Sequence, residues 1–453
     1  SSFWRGIKKK EIFQEICSQV FSSLKNNEQL TIYLEGENSQ YFRFNDSKLR
    51  QSGIIEDYAV TISLFLGKKS LQAATTVSSD IESSVNNLRS EIHALRDPLS
   101  LIPENEYTSF PDSFESVKMI KSGKLPDRNE ILEALMDVIT KDYLTGVWTS
   151  GKIFRACSTS EGTNHWFEKD SFIFDFSLID EKENMVKVLF PGSSWDKNKF
   201  DTAFEEASSK LKLMNKPKME LKPGKYRVWF EPNAVADFVD MFNWNGVSES
   251  SFRNGSSCLL KMRNSELKLS PLFSLNESFS SKATAPFNSR GEVSNDVNII
   301  NKGELNNTLI NSKTALEYGI SSNFAEEANS WGMGEYMRSP FMDSGDIDKD
   351  LRLQKLGTGI FISNIHYLNW SDSLGGRITG LTRYACYWVE DGKMVAPIKT
   401  MRFDDSFYNF FGSNLEGVGK EILARPVTAT YDGRNPGETT CPGILVNDFE
   451  LTL

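Results

Sequence analysis

The sequence predicts an α+β protein with a helix-and-sheet N-terminal region followed by a β-rich C-terminal domain. Near the start, apolar residues at helical spacing precede a strand-like segment at residues 31–44. Phenylalanines then recur at every second position, at Phe172, Phe174 and Phe176, as they do in half-buried strands. Later in the chain, further strand-like runs occur at residues 359–365, 377–389, 394–398 and 444–453. A chain of 453 residues is too long for one ordinary core, so we expect several domains.

The first domain is predicted to span residues 1–105. After an opening helix, residues 31–44 are predicted to form two strands around a turn at residues 36–39, where Gly, Asn and Ser favour turns. A second long helix begins near Ile81. We expect it to end before Pro98, because proline lacks the amide that continues a helix. The proline-rich connector that follows places the domain boundary near residue 105.

A middle α+β domain is predicted at residues 106–216 and a β-rich domain at residues 217–453. The middle domain is expected to begin with a helix at residues 128–142. In the third domain, a short helix is predicted at residues 233–242, and residues 390–392 are expected to form a hairpin turn.

Composition and charge argue against two classes of partner. The 51 Lys and Arg residues against 61 Asp and Glu residues give a net charge of −10, and no long basic run is present, so we expect no nucleic-acid partner. No apolar stretch approaches the roughly 20 residues that a membrane helix needs, so we expect no membrane partner. Because no secretory-type apolar segment is found near the start, we expect a cytoplasmic protein.

Potential metal ligands and nucleophiles are few and dispersed. The sequence has only three histidines, His93, His165 and His366, and no two lie within helical reach of each other. This excludes a zinc helix of the His-Glu-x-x-His or His-Glu-x-x-x-His type. The five cysteines include no Cys-x-x-Cys pair, so we expect reduced, mostly buried thiols.

Two further patterns are interpreted as structural. The acidic run from Asp343 to Asp350 resembles a calcium loop, but Leu351 stands where such a loop needs glycine, so a solvated acidic loop is predicted. His165 and Glu168 are three residues apart in a predicted strand and therefore point to opposite faces, which favours a packed histidine.

One segment has the composition of a binding surface. Polar and aromatic residues precede Gly375 and Gly376, and the strand that follows carries two arginines and a threonine on one face. We predict a wall that binds peptides or carboxylates. The alternative is that these arginines pair with carboxylates at the edge of the core. The predicted substrate-binding residues are His366, Tyr367, Asn369, Arg377, Thr379 and Arg383.

Three stretches, in the same order along the chain, resemble the TldD/PmbA family of bacterial peptidase subunits. The first is YFRFNDSKLRQSG at residues 41–53, and the second is the predicted strand and helix at residues 225–242. The third and most specific stretch comprises TGIFISN at 358–364, RITG at 377–380, YWVEDGK at 387–393 and Pro397. The resemblance covers nearly the whole chain.

The resemblance implies an accessory role. In this family, the zinc-bearing subunit holds its metal on a His-Glu-x-x-x-His helix, and a later cysteine supplies a further ligand. The corresponding helix here runs from Glu231 to Phe238 without a histidine, so the chain resembles the PmbA (TldE) subunit, which lacks the zinc motif. Cys441 is then interpreted as coincidental. No catalytic or metal-binding residue and no cofactor is expected in this chain.

The resemblance also implies a heterodimer. Its TldD-like zinc metallopeptidase subunit would cleave unfolded or modified peptides, while this chain would help to enclose the chamber. Arg377 and Arg383 would contact the peptide backbone or a terminal carboxylate. His366, Tyr367 and Asn369 would hydrogen-bond or stack.

Two alternatives remain open. One is a self-sufficient hydrolase that uses His366 with Cys386 or a nearby aspartate. The other is a homodimeric peptide-binding or regulatory protein.

Overall fold

The computed structural model describes residues 9–112, 115–138, 143–328, 334–430 and 433–453. Its helices and strands are arranged around two sheets, one built from the first half of the chain and one from the second. The predicted α+β class is therefore confirmed.

In the described part of the chain, seven strands form the first sheet. They are β1 (Glu28–Asn45), β2 (Lys48–Leu66), β3 (Lys69–Thr76), β4 (Lys118–Lys121), β5 (Tyr143–Thr159), β6 (Asn164–Ile179) and β7 (Met185–Gly192). The order is β3-β2-β1-β5-β6-β4, and β7 also pairs with β6. All pairs are antiparallel except β4 with β6. The helices of this half are α1 (Lys9–Phe21), α2 (Ile81–Leu101), α3 (Arg128–Val138) and α4 (Lys197–Leu213).

The two faces of strand β1 have different surroundings. Leu30, Ile32 and Leu34 point into a core that is covered by α1 and α2. Because side chains alternate along a strand, Thr31 and Tyr33 point to the opposite face, which lines a cavity. This polar face of the first sheet is turned toward the second half of the chain.

Two local predictions in this region are wrong. Residues 36–39 are not a turn, because β1 runs unbroken from Glu28 to Asn45. At Gly36 the missing side chain leaves room for the ring of Tyr58, since a Cβ there would lie 2.8 Å from Tyr58 Cδ1. Helix α2 also continues past Pro98 to Leu101, and the buried Leu99 anchors its last turn.

The second sheet contains thirteen strands within the described residues. They are β8 (Gly224–Phe230), β9 (Leu275–Glu277), β10 (Val297–Asn301), β11 (Glu304–Leu305), β14 (Pro340–Met342), β15 (Gly359–Ile362), β16 (Ile365–Asp372), β17 (Arg377–Thr382), β18 (Cys386–Glu390), β19 (Lys393–Pro397), β20 (Arg402–Ser406), β21 (Leu415–Pro426) and β22 (Glu438–Leu451). Strands β12 (Glu326–Glu327) and β13 (Glu335–Tyr336) form a separate two-stranded sheet. The main order is β11-β10-β9-β14-β22-β8-β15-β18-β19. Strand β20 joins β22 to β17, and β17 pairs with β16. The helices are α5 (Pro232–Asp240), α6 (Glu249–Arg253), α7 (Leu260–Arg263), α8 (Ser312–Tyr318) and α9 (Arg352–Leu356).

Helix α5 is the central helix of this half. Pro232 occupies its first turn, where the absent amide costs no hydrogen bond. Phe238 is fully buried, and its ring lies 4.5 Å from that of Phe410 and 5.3 Å from that of Phe230. The opposite side of α5 is polar and faces the first sheet. The predicted helix at residues 233–242 is thus confirmed, with a short 3₁₀ turn at Met241–Asn243.

The segment at residues 377–389 is two strands rather than one. Tyr384 and Ala385 have positive φ angles of 56° and 49°, which break the segment between β17 and β18. The two strands pair with different neighbours, β17 with β16 and β20, and β18 with β15 and β19. The hairpin turn at residues 390–392 is confirmed between β18 and β19. The helix predicted at residues 128–142 is present as α3, and residues 139–142 lie outside the described residues.

Long-range side chains join the two halves. Lys169 on β6 is 3% exposed at its side chain and donates to the carbonyls of Ala283 and Pro436 and to the Glu438 carboxylate. Arg434 reaches the first sheet and donates to Ser171 Oγ at 2.7 Å. Strands on both sides of residue 105 share the first sheet. The predicted division into three domains remains a prediction.

Candidate functional site

A cleft separates the polar face of the first sheet from the second half of the chain. It contains three neighbouring cavities of about 330, 380 and 390 Å³. The first and second share Asp240 and Thr439, and the first and third share Tyr33 and Glu326. We refer to them as the central, the α5 and the hydroxyl cavity, respectively.

The polar side of helix α5 carries an ion-paired cluster in the α5 cavity. Asp237 and Asp240, one helical turn apart, both bind the guanidinium of Arg425 from β21. Arg425 also donates to the Asn233 carbonyl at 3.2 Å. Thr439 on β22 donates through Oγ1 to the other oxygen of Asp240 at 2.6 Å. Each charged group in this cluster therefore has a partner of opposite charge within the chain.

Burial dominates the electrostatics of this cluster. It raises the pKa of Asp237 and of Asp240 above the usual aspartate range, and Arg425 opposes that shift in both. Cys441 lies two residues after Thr439 and on the same face of β22. Burial raises the pKa of its thiol, and the nearby Asp240 raises it further, so the thiol is protonated at neutral pH.

These residues do not fit a zinc centre of the His-Glu-x-x-x-His kind. Helix α5 presents no imidazole, and Arg425 already occupies both of its carboxylates. Among the described residues, no group of three or more His, Cys, Asp or Glu side chains is placed to hold a metal ion. Cys441, which we interpreted as coincidental, lies next to this cluster, but as a buried thiol rather than a free ligand.

The three histidines lie on three different elements. His93 is exposed on α2. His165 on β6 is 1% exposed, accepts the Val117 amide at Nδ1 (3.0 Å) and donates from Nε2 to the Gly291 carbonyl (2.8 Å). This agrees with the packed histidine that the sequence predicts. His366 lies on β16, at the outer end of the second sheet.

Two of the six predicted substrate-binding residues form bonds within the sheet. Arg377 pairs with the Asp404 carboxylate at 2.9 Å and lies 3.6 Å from that of Glu450. Thr379 donates to the Phe403 carbonyl at 3.0 Å. The Arg377 contacts agree with the alternative interpretation, in which the arginines pair with carboxylates at the edge of the core. The peptide-binding role of both residues remains a prediction.

Three others gather near the opposite end of β17. The His366 ring lies 5.6 Å from that of Tyr367 and 5.1 Å from that of Tyr384. The Arg383 guanidinium lies over both tyrosine rings, at 5.4 and 5.7 Å. Burial lowers the pKa of His366, and the positive charges of Lys187 and Arg383 lower it further. A neutral imidazole, an exposed phenol and a guanidinium therefore share one surface.

This surface adjoins the α5 cavity. Lys187 lines that cavity, and its Nζ lies 5.4 Å from the centre of the Tyr384 ring. Asn369 lies further along β16, and its side-chain oxygen accepts the amide of Trp370 at 2.8 Å. At about 3.3 Å per residue, the six positions from Arg377 to Arg383 cover roughly 20 Å, so the six predicted residues do not form one compact site.

Cys386 has the environment of a structural thiol. It is 5% exposed, and its Sγ lies 3.5–3.6 Å from the carbonyls of Tyr384, Asn364 and Arg383. Burial raises the pKa of this thiol to about 11. A thiol that stays protonated and points at carbonyls is a poor nucleophile, so the geometry gives no support to a His366–Cys386 hydrolase.

Sequence reasoning missed the residues that define the cleft. Arg425 follows Asp237 by 188 positions and Asp240 by 185, and no local motif links it to them. A usable signal existed only on α5, where two aspartates three residues apart interrupt an apolar helix. The cavity-lining hydroxyls of β1 and β2 have the alternation of any half-buried strand and could not have been singled out.

Comparisons with known proteins agree on the fold. A sequence model of the PmbA/TldA metallopeptidase C-terminal domain matches residues 223–453, just over half of the chain. No curated protein sequence matches this chain. A Thermotoga maritima structure, described as a candidate modulator of DNA gyrase, is 16% identical with a TM-score of 0.76 and covers 97% of this chain and 100% of its own.

Two further solved structures are similar over the same length. TldE from Thermococcus kodakarensis is 13% identical with a TM-score of 0.75, over 97% of this chain and 100% of its own. A Bacteroides thetaiotaomicron protein, also described as a candidate modulator of DNA gyrase, is 15% identical with a TM-score of 0.72, over 98% of both chains. At such identities, the likeness to these structures concerns the fold.

Proposed function

The chain belongs to the TldD/PmbA family, and from this premise we propose that it is the accessory, non-catalytic subunit of a zinc metallopeptidase complex. Its partner is a TldD-like subunit that carries the zinc and cleaves unfolded or modified peptides. This chain contributes a wall of the peptide chamber.

The observation that carries the proposal is the cluster on α5. A metallopeptidase centre needs ligands with free lone pairs and an open coordination position for water. In the described residues around α5, a guanidinium already occupies the two carboxylates, and the neighbouring thiol is buried. The guanidinium of Arg425, a cation that belongs to this chain, therefore lies where α5 faces the cleft.

The chamber role is supported by the cleft itself. Three neighbouring cavities lined by polar side chains suit an unfolded peptide, whose backbone groups need hydrogen-bond partners along their length. A cytoplasmic location is supported by the five free, buried cysteines among the described residues, since reduced thiols are usual there. Within those residues, no helix has both the length and the apolar character to cross a membrane.

The test is to purify the chain alone, a TldD-like zinc subunit alone, and the two together. We expect the chain alone to contain no stoichiometric zinc by elemental analysis and to leave an unstructured peptide intact. The mixture should elute as a heterodimer and cleave that peptide at least about tenfold faster than the zinc subunit alone.

Two results would contradict the proposal. Stoichiometric metal in the isolated chain, together with peptide cleavage by it, would make the chain an enzyme. A stable homodimer that does not bind the zinc subunit would favour the homodimeric binding protein. As a control, a mixture with a zinc subunit stripped by chelator should assemble but not cleave.

A further inference from the structure

The hydroxyl cavity is lined on one side by the first sheet and on the other by loops of the second half. Strands β1, β2 and β3 contribute Thr31, Tyr33, Thr61, Ser63, Ser70 and Gln72. The facing wall contributes Ser289, Asn311, Ser312, Lys313, Glu326 and Glu327. Five residues line both this cavity and the central cavity, so the two are neighbours, and we refer to them together as the channel.

Three largely buried residues present hydroxyl groups to the cavities of this channel. Thr31 and Ser63 line the hydroxyl cavity, with 2% and 8% of their surface exposed, and Thr284 lines the central cavity with 5% exposed. None of the three side chains makes a hydrogen bond within the part of the chain that the structure describes. Buried polar groups in folded proteins are nearly always hydrogen-bonded, so hydroxyls that open onto a cavity are available to a polar ligand or to water.

Carboxylates face this channel from both sides. Glu35 projects from β1, and its side chain keeps 55% exposure. Glu326 lies on the opposite wall, where Ser289 donates to it through its amide (2.7 Å) and its hydroxyl (2.8 Å). Glu327 follows it, and both residues line both cavities. Like charges on opposite walls favour a cation between them.

Two arginines line the central cavity, and one of them is ion-paired with a carboxylate of the channel. Arg338 donates to the carbonyls of Ala285 (3.0 Å) and Phe287 (2.6 Å). Arg155 donates to the carbonyls of Phe154 (2.8 Å) and Arg434 (3.2 Å), and its guanidinium is 3.7 Å from Glu35. Within the described residues, Arg155 therefore pairs with Glu35, whereas Arg338 makes no ion pair with Glu326 or Glu327.

We propose that this channel binds a peptide segment with a basic side chain, and this inference rests on the proposed function in a peptide chamber. The lysine ammonium or arginine guanidinium lies between Glu35 and Glu326, beside the rings of Tyr33 and Tyr336, which also line the central cavity. Backbone groups of the adjacent peptide residues bond to the free hydroxyls of Thr31 and Ser63. The subunit thus selects which peptides enter the chamber.

The test uses the full purified chain and capped Gly-Ser peptides that contain one lysine or, in the control, one norleucine, which has the same carbon chain without charge. We expect calorimetry to show the lysine peptide binding about tenfold more tightly than the norleucine peptide. Glu326→Gln should abolish this preference and leave norleucine binding unchanged. Glu421→Gln, at an exposed position of β21 outside the channel, is the matched control and should change neither.

A variant that should strengthen binding distinguishes a specific effect on the channel from misfolding, because misfolding would weaken binding. Lys313 is an exposed cation that lines the hydroxyl cavity, so Lys313→Gln should strengthen lysine-peptide binding about twofold. Equal affinity for the two peptides, no binding of either, or an unchanged preference in Glu326→Gln would each overturn the inference. If the two peptides bind equally and the assembled complex still cleaves peptide, then the channel inference fails and the accessory role stands. If the chain prefers the lysine peptide but does not bind the zinc subunit, then the accessory role fails and the channel inference stands.

Discussion

The α5 cluster and the channel are adjacent parts of one cleft, but their polar groups differ in how completely they are hydrogen-bonded. In the α5 cluster, Asp237, Asp240 and Arg425 neutralise one another, and Thr439 completes the network. In the channel, the side chains of the buried Thr31 and Ser63 make no hydrogen bond to any residue that the structure describes. A network that is complete within the chain needs no ligand for its stability, whereas free polar groups carry a desolvation cost that a ligand can relieve. This difference distinguishes the part of the cleft that stabilises the fold from the part that is available to bind a ligand.

The largest expected effect is the removal of Arg425. Arg425→Ala leaves two aspartates without a counter-charge in a partly buried site. Their side chains retain 31% and 41% exposure, so the cost should fall between that of surface and fully buried pairs, at about 2 kcal/mol. The free energy of unfolding from urea titration measures it.

The loss in Arg425→Ala should shrink as the pH is lowered, because protonation of Asp237 and Asp240 removes the repulsion. Their pKa values are raised in the folded state, so their contribution to stability is present at low pH and decreases as the pH rises through those values. Lys420→Ala removes a cation that is 72% exposed and serves as the control, with no measurable loss expected. A loss in Arg425→Ala that is independent of pH would contradict the charge-pairing account.

A matched pair of threonine substitutions sharpens the comparison. Thr439→Val removes a hydroxyl that donates to a carboxylate at 2.6 Å and should cost about 1.5 kcal/mol. Thr31→Val removes a hydroxyl that has no partner among the described residues, so stability should stay within about 0.5 kcal/mol of the parent. Urea titrations of both variants test this, and similar losses in the two would show that the channel hydroxyls are bonded in solution.

The same contrast occurs between the two arginines of the predicted wall. Arg377 is paired with Asp404, whereas the Arg383 guanidinium contacts tyrosine rings and makes no ion pair within the described residues. Arg383→Ala should therefore lower peptide turnover by the assembled complex about tenfold without removing zinc from the partner. Arg377→Ala should also lower turnover if its predicted substrate role holds, and should lose up to about 1 kcal/mol of stability in either case.

The turnover assay distinguishes the roles of the two arginines. Unchanged turnover in both variants would discard the predicted wall. Unchanged turnover in Arg377→Ala alone would assign that residue to the sheet and leave Arg383 as the binding group.

Local patterns in the sequence predicted the elements but not how distant elements meet. The α5 helix, the packed His165 and the turn at residues 390–392 each depend on a few neighbouring residues, and these predictions are confirmed. The turn predicted at residues 36–39 failed because local composition cannot show that both neighbouring strands of β1 extend past Gly36. Tertiary pairing overrode a local preference there.

The site was less predictable for the same reason. Arg425 meets α5 only because β21 and β22 return across the helix late in the chain. Likewise, Glu35 and Glu326 lie on different sheets and face each other only after both halves have folded together. Charged residues that meet over such separations are not spaced at any regular interval in the sequence, so their contacts could not be predicted from residue spacing.

The smallest expected effect concerns a histidine outside the cleft, at the junction of the two halves. His165 accepts the Val117 amide at Nδ1, so protonation of that nitrogen would break a buried hydrogen bond. Burial lowers the pKa of His165 below its ordinary value of 6.5, and the unfolded chain therefore binds the proton more readily than the folded chain. Stability should then decrease as the pH falls below about 6.5.

His165→Gln tests this pH dependence, because a glutamine amide can accept from Val117 and donate to Gly291 but does not titrate. Urea titrations between about pH 7 and about pH 5 should show a smaller loss of stability in the variant than in the parent. His93→Gln, which changes an exposed histidine on α2, should retain the slope of the parent. If the His165→Gln and parent slopes coincide, then His165 binds its proton equally in the folded and unfolded states, and the Nδ1 hydrogen bond is not the source of the acid sensitivity.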